Sequence, residues 1–286
     1  MISDITLGQF FPGYSPLHKM DPRTKILLAI VFIVAVFLVN NPVGYLFITL
    51  ITAFMVIVSR ISPRVVLKGV KPIVLIIVLT SLLNVFLTKG EGAPLLSWRF
   101  ITVYKEGIIR AVTMALRVIL LIIGSSMLLT YTTSPISLTD GIESLLSPLK
   151  KIKVPVHSFA MMMSIALRFI PTLIEETEKI MNAQKSRGAD FSSGGLLKRA
   201  KALIPILVPL FVSSIKRADE LATAMECRCY RGDKNRTKLV KLQYKSRDYI
   251  WLICSLFVVG AIVCLRIIPD MYSAESALYS IAFYKL

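Results

Sequence analysis

The stretch from Ile26 to Val58, ILLAIVFIVAVFLVNNPVGYLFITLITAFMVIV, decides the fold class. It holds two apolar blocks, Ile26–Val39 and Pro42–Val58, with no charged residue in either. A helix needs about 20 predominantly apolar residues to cross a bilayer, and helices apolar all round have no polar face to offer water. Between the blocks stand Asn40, Asn41 and Pro42, which read as a tight turn with proline opening the second helix. The expectation is an all-α membrane protein whose first two helices are antiparallel neighbours.

Working outward, three more apolar runs read as spans, at about Ile73–Thr88, Ile108–Tyr131 and Ile250–Ile268. Two other segments attract the same reading less well. Ala202–Ile215 is about 14 residues long, and Val156–Ile174 contains Arg168, Ser158 and Ser164. Segments of that kind suit interfacial or buried helices, so the reading is five spans and not seven. The organisation is therefore four spans in residues 1–131, a basic amphipathic region in 132–249, and a last span with an external tail in 250–286.

The 286 residues are 55% hydrophobic and carry a formal net charge of +17. Grease and charge must occupy different places, and they do: twenty of the 34 Lys and Arg fall between Thr132 and Tyr249. The short loops divide the remainder unequally. Lys19, Arg23 and Lys25 precede the first span and Arg60, Arg64, Lys68 and Lys71 follow the second, whereas the opposite loops hold only Lys89, Arg99 and Lys105 among Glu91 and Glu106. Positive residues favour the cytoplasmic side. The N-terminus and the segment after Tyr131 are expected there, and the C-terminal tail outside. The first residues lack the apolar core and cleavage site of a secretory signal, so numbering is expected to begin in the mature chain.

In the basic region, Val156, Phe159, Met163, Leu167, Ile170, Ile174 and Met181 recur mostly every three or four residues, with Glu175, Glu176, Glu178, Lys179 and Lys185 on the other side. That pattern predicts an amphipathic helix ending at Gly188. A second one runs from Leu196 to about Cys229, bent by Pro205 and Pro209. The two end alike, in Ser186-Arg187-Gly188 and Cys227-Arg228-Cys229. On helix physics alone each arginine could serve to cap its own exposed carbonyls. It could equally offer a partner protein a rigid fork of donors for carboxylates or backbone carbonyls.

Three separated motifs give these ends a context. AQKSRGADF (Ala183–Phe191) and AMECRCYRG (Ala224–Gly232) resemble the paired Ala-Arg-Gly-type signatures of the T component of energy-coupling factor transporters, and so does PGYSPLHKMDPRTK, Pro12–Lys25. LSPLKKIKVPVHSFAMMMSIALRFIPTL, Leu146–Leu173, extends the resemblance over nearly the whole chain. It implies a transmembrane scaffold with long cytoplasmic coupling helices, placed in a prokaryotic plasma membrane. It also implies a complex with two ATP-binding-cassette ATPases and a small substrate-binding S component, for uptake of vitamins or other micronutrients.

By residue matching, Arg187 and Arg228 become the groups that insert into the ATPases, with Ser186, Gly188, Cys227 and Cys229 around them. Ser186 and the two cysteines depart from the Ala-Arg-Gly pattern. Met161, Met162, Met163, Leu207 and Leu210 become candidates for contact with the S component, methionine being adaptable to differently shaped surfaces. Ordinary core filling or membrane contact is the plainer reading of the three methionines. A T component dedicated to cobalt or nickel is the alternative reading.

Other classes fit less well. No Gly-x-x-x-x-Gly-Lys-[Ser/Thr] loop occurs, so ATP and Mg belong to the partners and the chain itself is expected to bind no cofactor. Cys227 and Cys229 are too close for an ordinary metal pair, with His18 and His157 remote in sequence. No basic stretch is interleaved with stacking aromatics, which argues against nucleic acid. Asp190, Asp219, Glu220 and Glu226 lack a nearby nucleophile and read as salt-bridged helix surface. A channel or secondary transporter would show inverted repeats, and no convincing pair is present. Arg117 shares a face with Arg110 inside the fourth apolar run, where snorkelling to a headgroup is the first reading.

Overall fold

The computed structural model describes residues 10–88, 96–98, 101–189, 191, 195–232 and 242–283, without side chains at 96–98, 101–103, 196–200 and 267–283. The chain divides into two compact units, one containing Phe10–Ser134 with Leu242–Leu286 and the other containing Pro135–Lys241.

In the first of these, α1 (Pro22–Leu38) starts on Asp21, whose side chain accepts a hydrogen bond from the Arg23 amide, with proline in the first turn where no donor is needed. α2 (Pro42–Ser59) also has proline in its first turn after the predicted turn, without a side-chain cap from Asn41, and ends on Arg60 in the left-handed conformation, φ 57°. α3 (Pro63–Val70) passes through a short 3-10 turn at Pro72 into α4 (Val74–Leu87). Two three-residue strands, β1 (Leu96–Trp98) and β2 (Ile101–Val103), pair antiparallel with Ser97 opposite Thr102, a small exception to the all-α architecture. α5 (Lys105–Ser125) continues into a π-helical stretch, Ser126–Tyr131, and a later helix runs from Ser246 to Phe283.

Five helices among the described residues are long and apolar enough to cross a membrane: Pro42–Ser59, Pro63–Leu87, Lys105–Tyr131, Val156–Ser186 and Ser246–Arg266. The number matches the sequence reading, but the membership differs. α1, with 17 residues, is one residue shorter than α2 and stands outside the set on length alone. Val156–Ser186 joins the set because Arg168 is the one charged residue in its first 18.

The core gathers Phe32, Val36, Ile48, Met55, Leu120, Leu128 and Ile262. α1 packs on α5 and on the last helix of this unit, and α2 meets the same two. α1 and α2 share this core, and Phe32 of α1 lines an apolar cavity together with Ile51 and Met55 of α2. Arg117 also departs from its expected place. Its Nη2 donates to the carbonyl of Val39, at 3.0 Å, and its guanidinium lies over Phe37 and Tyr45. The open carbonyl end of α1 attracts a cation more directly than a headgroup does.

The motif Pro12–Lys25 folds into a polar knot. His18 Nε2 meets the Phe11 carbonyl at 2.8 Å, and a carbonyl only accepts, so Nε2 carries the proton. Nδ1 then accepts from Ser15 Oγ at 2.6 Å. A Cβ at residue 13 would stand 2.9 Å from the imidazole Cε1, so any residue larger than glycine would push the ring from its place. Burial pushes the His18 pKa below its ordinary 6.5, the Phe11 bond opposes this, and nearby Lys25 adds to the lowering. The folded knot therefore favours neutral imidazole. Its stability is complete above pH 6.5 and declines as the pH falls from there through the folded pKa. The protection factors of the amides from Ser15 to Lys25, which allow for the slower intrinsic exchange in acid, are expected to fall as the pH drops from about 7.5 to about 5.5, and His18→Gln should flatten that dependence.

In the second unit α6 (Pro135–Leu145) leads through a 3-10 turn to α7 (Val156–Ser186), and α8 (Leu196–Cys227) follows. The helix after it, Ser246–Phe283, is accordingly α9. Glu143 and His157 pair at 3.0 Å and tie α6 to α7.

Candidate coupling site at two helix ends

Both α7 and α8 stop by the same main-chain device. At the end of α7 the Gly188 amide bonds the Lys185 carbonyl at 2.9 Å and the Ala189 amide bonds Gln184 at 3.0 Å. At the end of α8 the Cys229 amide bonds Glu226 at 2.8 Å and the Tyr230 amide bonds Met225 at 3.0 Å. Gly188 has φ 87° and Cys229 φ 57°, so each turn has its left-handed residue immediately after the arginine. This is the Schellman closure, in which main-chain donors satisfy the last carbonyls. Residue for residue, Ser186, Arg187 and Gly188 correspond to Cys227, Arg228 and Cys229.

The closure bears on what the arginines do. Their amides participate, Arg187 N reaching Gln184 O at 3.1 Å and Arg228 N reaching Ala224 O at 3.3 Å. Their guanidinium groups are exposed, and among the described residues neither makes an ion pair or a side-chain hydrogen bond. Capping is done by backbone, which leaves both forks of donors free for another molecule. Ser186 turns its hydroxyl back to the Asn182 carbonyl at 3.1 Å, and Cys227 and Cys229 are exposed free thiols.

Cysteine at a left-handed position is a local conflict, since a Cβ costs about 1 kcal/mol there and glycine pays nothing. Cys229→Gly is expected to stabilise the end of α8 by up to about 1 kcal/mol, and Gly188→Ala to weaken the end of α7 by a similar amount. A Cβ at Gly188 meets nothing within 4 Å, so the second effect is purely conformational. Amide exchange at Arg187–Ala189 and Arg228–Tyr230 reads both.

α7 and α8 cross in antiparallel register. Glu176 accepts from Arg217 Nη2 at 2.6 Å and from Ser213 Oγ, while Gln184 Nε2 approaches the Pro205 carbonyl at 3.5 Å. That carbonyl lost its helical donor because residue 209 is proline, and the helix nevertheless continues through both prolines. With Glu176 facing Ser213 and Gln184 facing Pro205, the two arginine tips fall at opposite ends of the pair, roughly 30–40 Å apart at 1.5 Å per residue. Periodicity could not announce Glu176 as the joint, because on the sequence it is one of three glutamates on a polar face.

The apolar candidates are only partly brought together. Met162, Met163 and Leu207 are exposed, whereas Met161 and Leu210 are half-buried. Leu207 lies beside the crossing, and the methionines lie about 28 Å farther along α7 from its facing position. Phe159, Val208 and Phe211 extend the exposed apolar surface. Among the described residues no group of three or more His, Cys, Asp or Glu is placed to hold a metal ion.

Comparison with known proteins accords with this architecture. Residues 13–239 match the model of the CbiQ family, described as cobalt transport protein. The chain is 54% identical to the energy-coupling factor transporter transmembrane protein EcfT of Clostridium kluyveri over 272 residues, covering 95% of this chain and 99% of that one. It is 56% identical to EcfT of Ruminiclostridium cellulolyticum over 87% of this chain and 92% of the relative. With EcfT of Bacillus subtilis the identity is 47%, over 92% and 98%. A match of that extent, spanning both helix ends and the apolar helices, makes this chain a member of the EcfT family of energy-coupling factor transporter transmembrane proteins.

Proposed function

We propose that this chain is the membrane scaffold through which two ATP-binding-cassette ATPases act on a substrate-binding S component. The observation that carries the reading is the pair of equivalently closed helix ends, each presenting one uncommitted guanidinium and lying far from the other. Two like tips suit two like sockets, and bidentate donors suit carboxylates or carbonyls at the bottom of each. When the ATPases approach and separate, the tips would be driven relative to one another, and the crossing at Glu176 would convert that into a change of angle. The exposed apolar surface of α7 and α8, with Met162, Met163 and Leu207, would pass the change to the S component. Coupling of this kind requires that the contacts differ between two states.

The proposed cargo is a vitamin or similar micronutrient, bound by the S component, with ATP and Mg bound by the ATPases. The N-terminus and the arginine tips would face the cytoplasm of a prokaryote. The family description as cobalt transport protein favours, as a second reading, a scaffold dedicated to one metal-uptake partner.

Affinity purification from the native membrane in mild detergent, followed by mass spectrometry, tests both. Two ATPases with several small hydrophobic subunits support a shared scaffold, and a single metal-uptake set supports the dedicated one. Recovery of the chain alone, with solute flux on reconstitution, would overturn the scaffold reading.

A further inference from the structure

We propose that the apolar cavity between α1, α2 and α9 receives a segment of one acyl chain of an anionic phospholipid, whose headgroup is held at the basic end of the same three-helix wedge by Lys19 and Arg247. The cavity measures about 150 Å³, and its walls include Phe32, Ala35, Met55, Leu128, Trp251 and Val258. Water would find almost no polar partner there, and cavities of this size and lining take apolar ligands.

Its shape and opening point to a chain. The walls run from Leu28 to Ala35 on α1 and from Trp251 to Val259 on α9, about 10–12 Å of helix in each case. Phe54, 57% exposed, and the exposed Cys254 also line it, so the cavity is reached from the apolar outer surface of α2 and α9. In a bilayer that surface meets hydrocarbon.

The charge at one end selects the lipid class. The Asp21 amide bonds the Asp248 carboxylate at 3.1 Å, which brings the starts of α1 and α9 together. Leu17 and Met20 line the cavity at this end and bracket the exposed Lys19, while Arg247 stands one turn before the lining Trp251. Lys245 is exposed nearby. The two carboxylates of the joint are buried and already accept main-chain amides, so the charge offered outward is positive. Lysine and arginine beside an interfacial tryptophan are the arrangement that favours an anionic headgroup.

The test uses the full-length chain with whatever partners it retains, reconstituted in equimolar palmitoyl-oleoyl phosphatidylglycerol and phosphatidylcholine and then washed in detergent. Native mass spectrometry is expected to find one phosphatidylglycerol retained, with a preference of about tenfold over phosphatidylcholine. Ala35→Trp should lower retention about tenfold, and Val258→Phe, filling the cavity from the opposite wall, should lower it in the same direction if the first variant folds poorly. Lys19→Glu with Arg247→Glu should bring the two lipids to parity. Phosphatidylglycerol carrying a diazirine in its acyl chain should label residues 48–55 and 251–259. Equal retention by the wild type and both filled variants, no lipid preference in the wild type, labelling spread evenly onto the exposed face of α4, or labelling abolished by a bound partner helix would each overturn the proposal.

Discussion

Arg187→Glu combined with Arg228→Glu is expected, on the coupling role proposed above, to reduce uptake by the assembled transporter on the order of 100-fold or more and to release the proposed ATPase partners from the membrane fraction. The size follows from interfacial charge pairs: losing one partner of a desolvated, hydrogen-bonded pair raises the off-rate by large factors, and reversal adds repulsion between like charges. The chain itself should keep its stability, because the ends of α7 and α8 are closed by main-chain bonds to Gln184, Lys185, Met225 and Glu226, and the guanidinium groups take no part. Arg→Lys at either position is the discriminating control. It preserves charge and loses the fork, so an intermediate defect indicates bidentate recognition, whereas full activity indicates a point charge alone. Single variants report whether the tips are equivalent. Wild-type uptake with full ATPase association in the double Glu variant would remove the coupling role from both arginines.

What could be read from sequence follows the reach of each signal. Long apolar runs announced α2, α4, α5 and α9, because a bilayer imposes length and composition on one segment at a time. The arginine ends were legible for a similar local reason: Gly188 after Arg187 is a helix stop, and the second end repeats its spacing. Cys229 in a left-handed conformation was not legible, since cysteine carries no such preference and only the parallel with Gly188 gives it away. Partners across the fold were equally invisible. Arg117 looked like a snorkelling residue because nothing in its own helix reveals that the end of α1 stands beside it. The apolar cavity that Phe32 of α1 lines with Ile51 and Met55 of α2 was equally hidden, since a three-residue turn says nothing of how the helices pack beyond it. The clasp of Glu176 with Arg217 joins positions 41 apart in the chain, beyond any helical period.

Asp248→Ala is expected to cost about 3 kcal/mol or more of stability. Asp248 is 2% exposed, and its two oxygens accept the Asp21 amide at 3.1 Å and the Lys245 amide at 2.8 Å. Lys25, also 2% exposed, donates to the Thr132 carbonyl at 2.7 Å and is attracted by the carboxylates of both Asp21 and Asp248. Alanine would strand two amides and take from the buried ammonium one of the two carboxylates that attract it, and a buried orphan donor alone costs about 1–3 kcal/mol. Asp248→Asn keeps one acceptor oxygen and should lose roughly half as much, so the ratio of the two separates hydrogen bonding from charge. Arg23→Ala should cost less, about 1 kcal/mol, because that side chain is 19% exposed and its ion pair with Asp21 is long, at 3.9 Å. Equilibrium unfolding in mixed micelles measures all three. If Asp248→Ala lay within about 0.5 kcal/mol of the wild type, the range of an ordinary surface change, the buried joint would be dispensable. The apolar packing of α1 on α9 would then be what gathers the first and last of the described helices, and the motif Pro12–Lys25 would have to owe its form to something other than stability.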